Sequence, residues 1–219
     1  MHKVLAGIDE SYRAEIFRKA IHLCSLLIPI FYFFLSKRDA LTILIPLTVF
    51  TIGLDIARYY SKPYRDFFLK TFGFLLRKHE TDGSLKRLNG ASYVLISATL
   101  CVLVFPKIIT ISCFSVLIIS DLTAALIGKR FGKHPFFSKS LEGSLAFLFS
   151  GFLVILFTPK ADHLFLEYAI GFIAVVIGMF VEASSIPVDD NLSIPITVGA
   201  SMWLLYILSL PFINIYILG

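Results

Sequence analysis

Seven apolar stretches limit what this chain can fold into. They lie at roughly 21–36, 40–58, 91–106, 108–127, 144–158, 166–184 and 195–216, and polar segments separate them. A run of about 17–25 apolar residues can cross the hydrocarbon core of a bilayer as a helix. In that medium the backbone must bond to itself, which a helix does within one segment. Composition agrees. The chain is 57% hydrophobic with a mean hydropathy of +0.84, against about 45–50% apolar residues in soluble domains. The expected fold is all-α and polytopic, with about seven transmembrane helices forming one membrane-embedded domain over residues 1–219. Cys24, Cys101 and Cys113 all fall within apolar segments. They suit core thiols, and they form neither a disulfide framework nor a zinc spacing. The first twenty residues are charged and mixed, unlike a cleavable signal peptide.

Orientation follows from the basic residues. Of the 20 Lys and Arg, sixteen lie in the N-terminal arm, the connection between the second and third spans, and the connection between the fourth and fifth. The other side holds Lys37, Arg38, Lys107 and Lys160. The positive-inside rule then places the N-terminus in the cytoplasm and the C-terminus outside. With that topology the polar stretches at 9–22, 58–90, 128–143 and 182–194 all open on the cytoplasmic face. Residues 62–80 alternate aromatic and basic side chains, among them Tyr64, Phe67, Phe68 and Phe72 with Lys62, Arg65 and Lys70. This pattern predicts an amphipathic helix lying in the membrane interface. In the loop that follows, Glu80 and Asp82 are possible ligands, although solvated charge accounts for Asp82 more simply.

The segment from Asp121 to Phe147, DLTAALIGKRFGKHPFFSKSLEGSLAF, is the main polar interruption. On a helix Asp121, Ala125 and Gly128 share a face, which carries one charge followed by almost no side-chain bulk. Gly128 and Gly132 would allow positive φ and room for a phosphate, with Lys129, Arg130, Lys133 and Lys139 supplying charge. Ser140, Glu142, Gly143 and Ser144 look like the start of the next helix, whose N–H groups and dipole favour an anion. A plainer reading is small-residue helix packing followed by a solvated basic loop. An acid at membrane depth points instead to function.

Two further segments carry candidates. In the arm EIFRKAIHL, Glu15, Arg18 and His22 recur at helical spacing, and Glu15 with Lys19 forms a favourable pair. Arg18 and Lys19 suit a positive-inside anchor. His22 could be a core histidine, a proton acceptor or a phosphate donor. In VEASSIPVDDNLSIP, Glu182 sits within a membrane helix and Asp189, Asp190 and Asn191 follow in a turn. Such a set suits Mg²⁺, which binds through one or two carboxylates plus substrate phosphates. Asp-Asp-Asn is also good turn chemistry by itself.

Four blocks, RKAIHL, LNGASYVL, DLTAALIGKRFGKH with KSLEGSLAF, and VEASSIPVDDNLSIP, resemble in sequence and order the CTP-dependent lipid kinases. That family includes dolichol kinase, phytol kinase and the fungal CTP-dependent diacylglycerol kinase. The resemblance implies transfer of the γ-phosphate of CTP to a lipid hydroxyl at the cytoplasmic surface, with a divalent cation. It also implies roles for individual residues. Arg18 and Lys19 match the family's basic pair, Asp121 its essential aspartate and Gly128 the glycine that follows. Lys139, Glu142 and Gly143 match the KSLEGS block, and Glu182, Asp189, Asp190 and Asn191 the late acidic block. The expected partners are CTP, a membrane lipid alcohol and the bilayer, with no nucleic acid. A short form like this one would suit a prokaryotic plasma membrane.

Phosphoryl transfer needs positioning and charge neutralisation more than covalent help. The expected arrangement has Lys139, Arg18, Lys19 and the glycine-spaced turn around Lys129 and Ser140 holding the triphosphate. Asp189, Asp190 and Glu182 hold Mg²⁺, and Asp121 acts as metal ligand or base, with His22 as the alternative base. KSLEGS also resembles a block of the CDP-diacylglycerol synthases, but the later histidine-glycine and DRxD signature of those enzymes is missing here. A CDP-lipid-forming cytidylyltransferase would release pyrophosphate where a kinase releases CDP. A transporter would turn over no nucleotide and would place its charged groups near the bilayer midplane.

Overall fold

The computed structural model describes residues 10–72, 88–184 and 186–218. Helices make up nearly all of it: α1 (Glu10–Cys24), α2 (Leu27–Phe34), α3 (Lys37–Tyr60), α4 (Lys62–Phe72), α5 (Gly90–Val104) and α6 (Lys107–Phe131), then α7 (Leu141–Phe157), α8 (Phe165–Ala183) and α9 (Asp190–Ser209). Between α6 and α7 lies one antiparallel hairpin of β1 (Pro135–Phe136) and β2 (Lys139–Ser140).

All seven apolar stretches are helical. Five helical segments are long and apolar enough to cross a membrane: Ile16–Phe34, Lys37–Tyr60, Lys107–Phe131, Phe165–Ala183 and Asp190–Ser209. Helices α5 and α7, with 15 and 17 residues, reach only about 22–26 Å at 1.5 Å per residue, short of a hydrocarbon core of about 30 Å. Two boundaries differ from the sequence reading. The last helix ends at Ser209, not near residue 216, and turns follow it. At its start Asp190 and Asn191 belong to the helix, and only Asp189 stands outside as its cap.

The first apolar stretch is broken between α1 and α2. Pro29 has no N–H to give the Ser25 carbonyl, so the Ile28 N–H closes a tighter bond to it at 3.0 Å. Helix α3 starts where Ser36 Oγ accepts the Asp39 N–H at 3.1 Å, and α5 where Asn89 Oδ1 accepts the Ser92 N–H at 2.9 Å.

Helix α6 forms the axis of the molecule, with 78% of its apolar window buried. It packs against α1, α2, α5, α7, α8 and α9. Ile108, Ile109, Phe114, Leu117 and Ile118 are fully buried on it. Between helices in lipid the attraction comes mainly from close packing, so small residues sit where neighbours meet. A methyl group added at Gly151 would lie 2.5 Å from Val175, one at Gly171 2.5 Å from Ile155, and one at Gly178 2.6 Å from Val198.

Helix α4 folds back onto the end of α3, and the Arg58 guanidinium lies 5.3 Å from the centre of the Phe68 ring. Phe67 on α4 is exposed. The remainder of the helix read at 62–80, with Glu80 and Asp82, lies outside the described residues. Long helices alternate in direction, so the start of α9 and the ends of α6 and α8 lie together with Lys19 of α1.

Candidate functional site

The innermost part of the site is a buried ion pair. Asp121 lies on α6 at 7% exposure, and its Oδ2 accepts a hydrogen bond from Lys19 Nζ of α1, itself 6% exposed. His22 is one turn further along α1, with Nε2 3.7 Å from the same oxygen. The spacing of Lys19 and His22 puts both on the face of α1 that meets α6. A carboxylate this far from water needs such partners, since desolvation without them costs several kcal/mol, on the order of the Coulombic gain. Arg18, beside Lys19, is half-buried.

The second part is carried by the hairpin. Phe137 adopts φ 51°, in the left-handed region, and closes the turn between β1 and β2. The backbone N–H and hydroxyl of Ser138 both donate to the Ala183 carbonyl at the end of α8, at 3.0 and 2.8 Å. Phe136 and Phe137 each stack 6.3 Å from Phe180. This anchoring swings Lys139 over the seam between α8 and α9. Its Nζ donates to Glu182 Oε1 at 2.7 Å and to Asp190 Oδ2 at 2.9 Å. Burial pushes the Lys139 ammonium toward neutrality, but Asp190 and Glu182 outweigh it and hold its pKa above the ordinary 10.5. The fields of Asp121, Glu182, Asp190 and Lys139 reach one another, so the two parts form one charged cluster.

The glycines do not form the phosphate cradle expected from sequence. No described glycine has positive φ. Helix α6 runs through Gly128 to Phe131, and the Gly132 N–H caps it by bonding the Gly128 carbonyl at 3.0 Å. A methyl group added at Gly128 would lie 2.9 Å from Ser140 Oγ and 3.3 Å from Gly143 Cα. These glycines let α6 and α7 touch, which is the packing alternative. The start of α7 is not an open anion site either. The Leu141 N–H bonds the His134 carbonyl at 2.9 Å, and the Gly143 N–H bonds Ser140 Oγ at 3.2 Å. Glu142 lies 2.8 Å from His134 Nδ1 and ties the hairpin to α7. Lys129 is exposed at the end of α6.

The late acidic residues divide. Asp189 caps α9, accepting from the Asn191 N–H at 3.0 Å and from Asn191 Nδ2 at 2.7 Å, while Glu182 and Asp190 share Lys139. Among the described residues no three His, Cys, Asp or Glu side chains converge as a closed metal cage. Mg²⁺ requires less, one or two carboxylates with substrate phosphates and water supplying the rest. The Asp190 side chain, 29% exposed beside Asp189, fits that use.

Two features escaped the sequence reading. Asp55, 1% exposed near the end of α3, accepts from the Asn89 N–H at 2.8 Å, from Asn89 Nδ2 at 2.9 Å and from Ser92 Oγ at 2.7 Å. It ties α3 to the start of α5, and Gly90 there approaches Asn191, whose Nδ2 would lie 3.7 Å from an added methyl group. A buried acid in an apolar stretch was its signal. The other is a pair of buried oxygens, Glu182 Oε2 and Ser144 Oγ, with no hydrogen-bond partner among the described residues.

No family model and no solved structure matches the chain. It is 31% identical over 194 residues to the uncharacterized protein RP860 of Rickettsia prowazekii, covering 86% of this chain and 93% of that protein. It is also 31% identical over 167 residues to CTP-dependent diacylglycerol kinase 1 of Schizosaccharomyces pombe, covering 69% of this chain and 74% of that protein. This chain belongs to that kinase's family. In this family member the four sequence blocks meet at one end of the bundle, through Lys19 with Asp121, Lys139 with Glu182 and Asp190, and Gly90 with Asn191.

Proposed function

We propose that the protein is a CTP-dependent lipid kinase, transferring the γ-phosphate of CTP to the hydroxyl of a membrane lipid alcohol at the cytoplasmic face. Diacylglycerol, polyprenol or dolichol, and phytol are the candidate acceptors. The observation that carries this reading is the cluster in which Lys139 bridges Glu182 and Asp190 while Lys19 is held by Asp121. Kinship with a protein named as a CTP-dependent diacylglycerol kinase supports the donor and the acceptor class.

Several charges gathered at one end of an apolar bundle suit interfacial chemistry, where a nucleotide arrives from water and a lipid alcohol from the membrane. Lys139 stands at the mouth, its side chain 36% exposed, where a triphosphate competes with two carboxylates for its ammonium. Arg18 adds positive charge at the same end. Asp121, hydrogen-bonded to Lys19 and 3.7 Å from His22, orients both toward the incoming phosphates. The acceptor hydroxyl gives its proton to a carboxylate as its oxygen attacks the γ-phosphorus, and CDP leaves. A divalent cation held by Asp190 and Asp189 would neutralise phosphate charge.

The test is incubation in vesicles containing dioleoylglycerol, phytol or a polyprenol, with Mg²⁺ and γ-labelled CTP or ATP. The expected result is labelled lipid with CTP in preference to ATP, lost in Asp121→Ala and in Lys139→Met. Absence of labelled lipid with every acceptor, or undiminished labelling in both variants, would contradict the reading.

A further inference from the structure

The seam between α7 and α8 has a regular register. Ile155 meets Gly171, Gly151 meets Val175 and Phe147 meets Gly178, so each step along one helix is matched by an opposite step along the other. Extending that register by one further step toward the charged end brings Ser144 of α7 opposite Glu182 of α8. Both are deeply buried, at 1% and 3% exposure, and both present an oxygen with no hydrogen-bond partner among the described residues, Ser144 Oγ and Glu182 Oε2. No hydrogen bond joins them, so the layer holds a donor and an acceptor that do not satisfy each other. Leaving such groups unpaired is costly.

The chemistry of the layer narrows its occupant. Glu182 Oε1 already receives the Lys139 ammonium at 2.7 Å, so a second cation at Oε2 would meet like charge. An anion would meet the carboxylate. A neutral hydroxyl fits, because it accepts from Ser144 and donates to Glu182 at once. The layer lies about one helical turn inside the start of α7, where Leu141 and Leu145 on the same helix expose apolar side chains, as a lipid tail requires. We infer that Ser144 and Glu182 form the subsite for the hydroxyl of the acceptor lipid alcohol, an inference that rests on the kinase reading of the site. In the transfer step the hydroxyl oxygen forms a bond to the γ-phosphorus. The bond from that phosphorus to the β-phosphate bridging oxygen breaks, and CDP takes its electron pair. The hydroxyl proton passes to Glu182 Oε2. Lys139, on the other oxygen of the same carboxylate, couples donor and acceptor within one side-chain network.

The experiment compares binding and turnover. Equilibrium binding of dioleoylglycerol and of phytol to the detergent-solubilised protein is measured beside the deoxy analogue of each, for wild type, Ser144→Ala and Glu182→Gln. Phosphate transfer from CTP is followed in parallel. One good hydrogen-bonded site is expected to favour at least one alcohol over its analogue by about tenfold in wild type. Ser144→Ala should reduce that preference to near one and raise KM for the lipid without changing KM for CTP. Glu182→Gln should bind the alcohol but lower kcat by about a hundredfold or more. Equal binding of alcohols and analogues by wild type would mean that only water occupies the layer, and a preference surviving in Ser144→Ala would place the hydroxyl elsewhere. Either result overturns the subsite. Hydroxyl-dependent binding that is lost in Ser144→Ala, without any transfer from CTP, would keep the subsite and reject the kinase reading. Transfer by wild type with no hydroxyl preference would do the reverse.

Discussion

Replacing Asp121 by alanine should destabilise the protein by an amount that a second substitution restores. The Lys19 and Asp121 side chains are 7% and 10% exposed. Removing one member of such a buried pair leaves the other charge uncompensated, which costs about 3–5 kcal/mol. His22, 3.7 Å away, cannot take over, because it offers Lys19 no negative charge. For a chain of 219 residues, each kcal/mol moves the midpoint by about 2–4 °C, so Asp121→Ala should lower Tm by roughly 6–20 °C. In the double variant Lys19→Met, Asp121→Leu both charges are gone and apolar side chains fill similar space. That exchange is close to neutral or stabilising in buried pairs, within about 1 kcal/mol of wild type or above it. The single tryptophan, Trp203, packs edge-on against Phe105 at 6.0 Å, and its fluorescence reports unfolding in detergent. The double variant should regain the wild-type midpoint and stay inactive. A single variant within about 2 °C of wild type, or a double variant that falls as far as the single, would refute the reasoning.

Other substitutions separate packing from chemistry. Gly128→Ala should push Ser140 off the Gly143 N–H and cost about 1–2 kcal/mol through the lost cap and the crowded helix contact; thermal unfolding checks it, and an unchanged midpoint would mean the helices part freely. Asp55→Ala should cost about 2–4 kcal/mol, since three donors from Asn89 and Ser92 lose their acceptor, again read as Tm. At the other end of the bundle, burial pushes the Lys160 pKa down to about 8 despite the opposing charge of Glu167. The unfolded chain keeps that proton up to the ordinary 10.5, so it binds more protons between those values and stability should rise from pH 8 to 10. Lys160→Met should remove that rise, and an identical pH profile in the variant would contradict it.

Much of the architecture was readable because bilayer chemistry leaves few options. Apolar runs marked all seven helical stretches, and charge bias marked which ends belong together. Length was less legible. Whether α5 and α7 cross depends on where Pro106, Phe105 and Ser140 stop them, and hydropathy does not resolve those boundaries. In the site, Asp121, Lys19, Lys139 and Glu182 stood out as charges beside apolar runs, and the structure brings these four near one another. The glycines misled because Gly128 and Gly143 look alike whether they admit a phosphate or a neighbouring helix. Only the meeting of α6 with α7 distinguishes the two. The hairpin was hidden for a similar reason, since two-residue strands have no period. Asp55 was legible in principle as an acid within an apolar stretch, but its partners are 34 and 37 residues away. The Ser144–Glu182 layer depends on the register between two helices, which no local pattern encodes.

The central claim concerns which phosphate of the nucleotide moves. Vesicles containing the protein, Mg²⁺ and lipid alcohol would be given CTP labelled at the α-phosphate in one reaction and at the γ-phosphate in another, and the extracted lipid counted. The kinase account predicts label from the γ position alone, with CDP as the other product. Label from the α position with pyrophosphate released, or no labelled lipid from either, would contradict it.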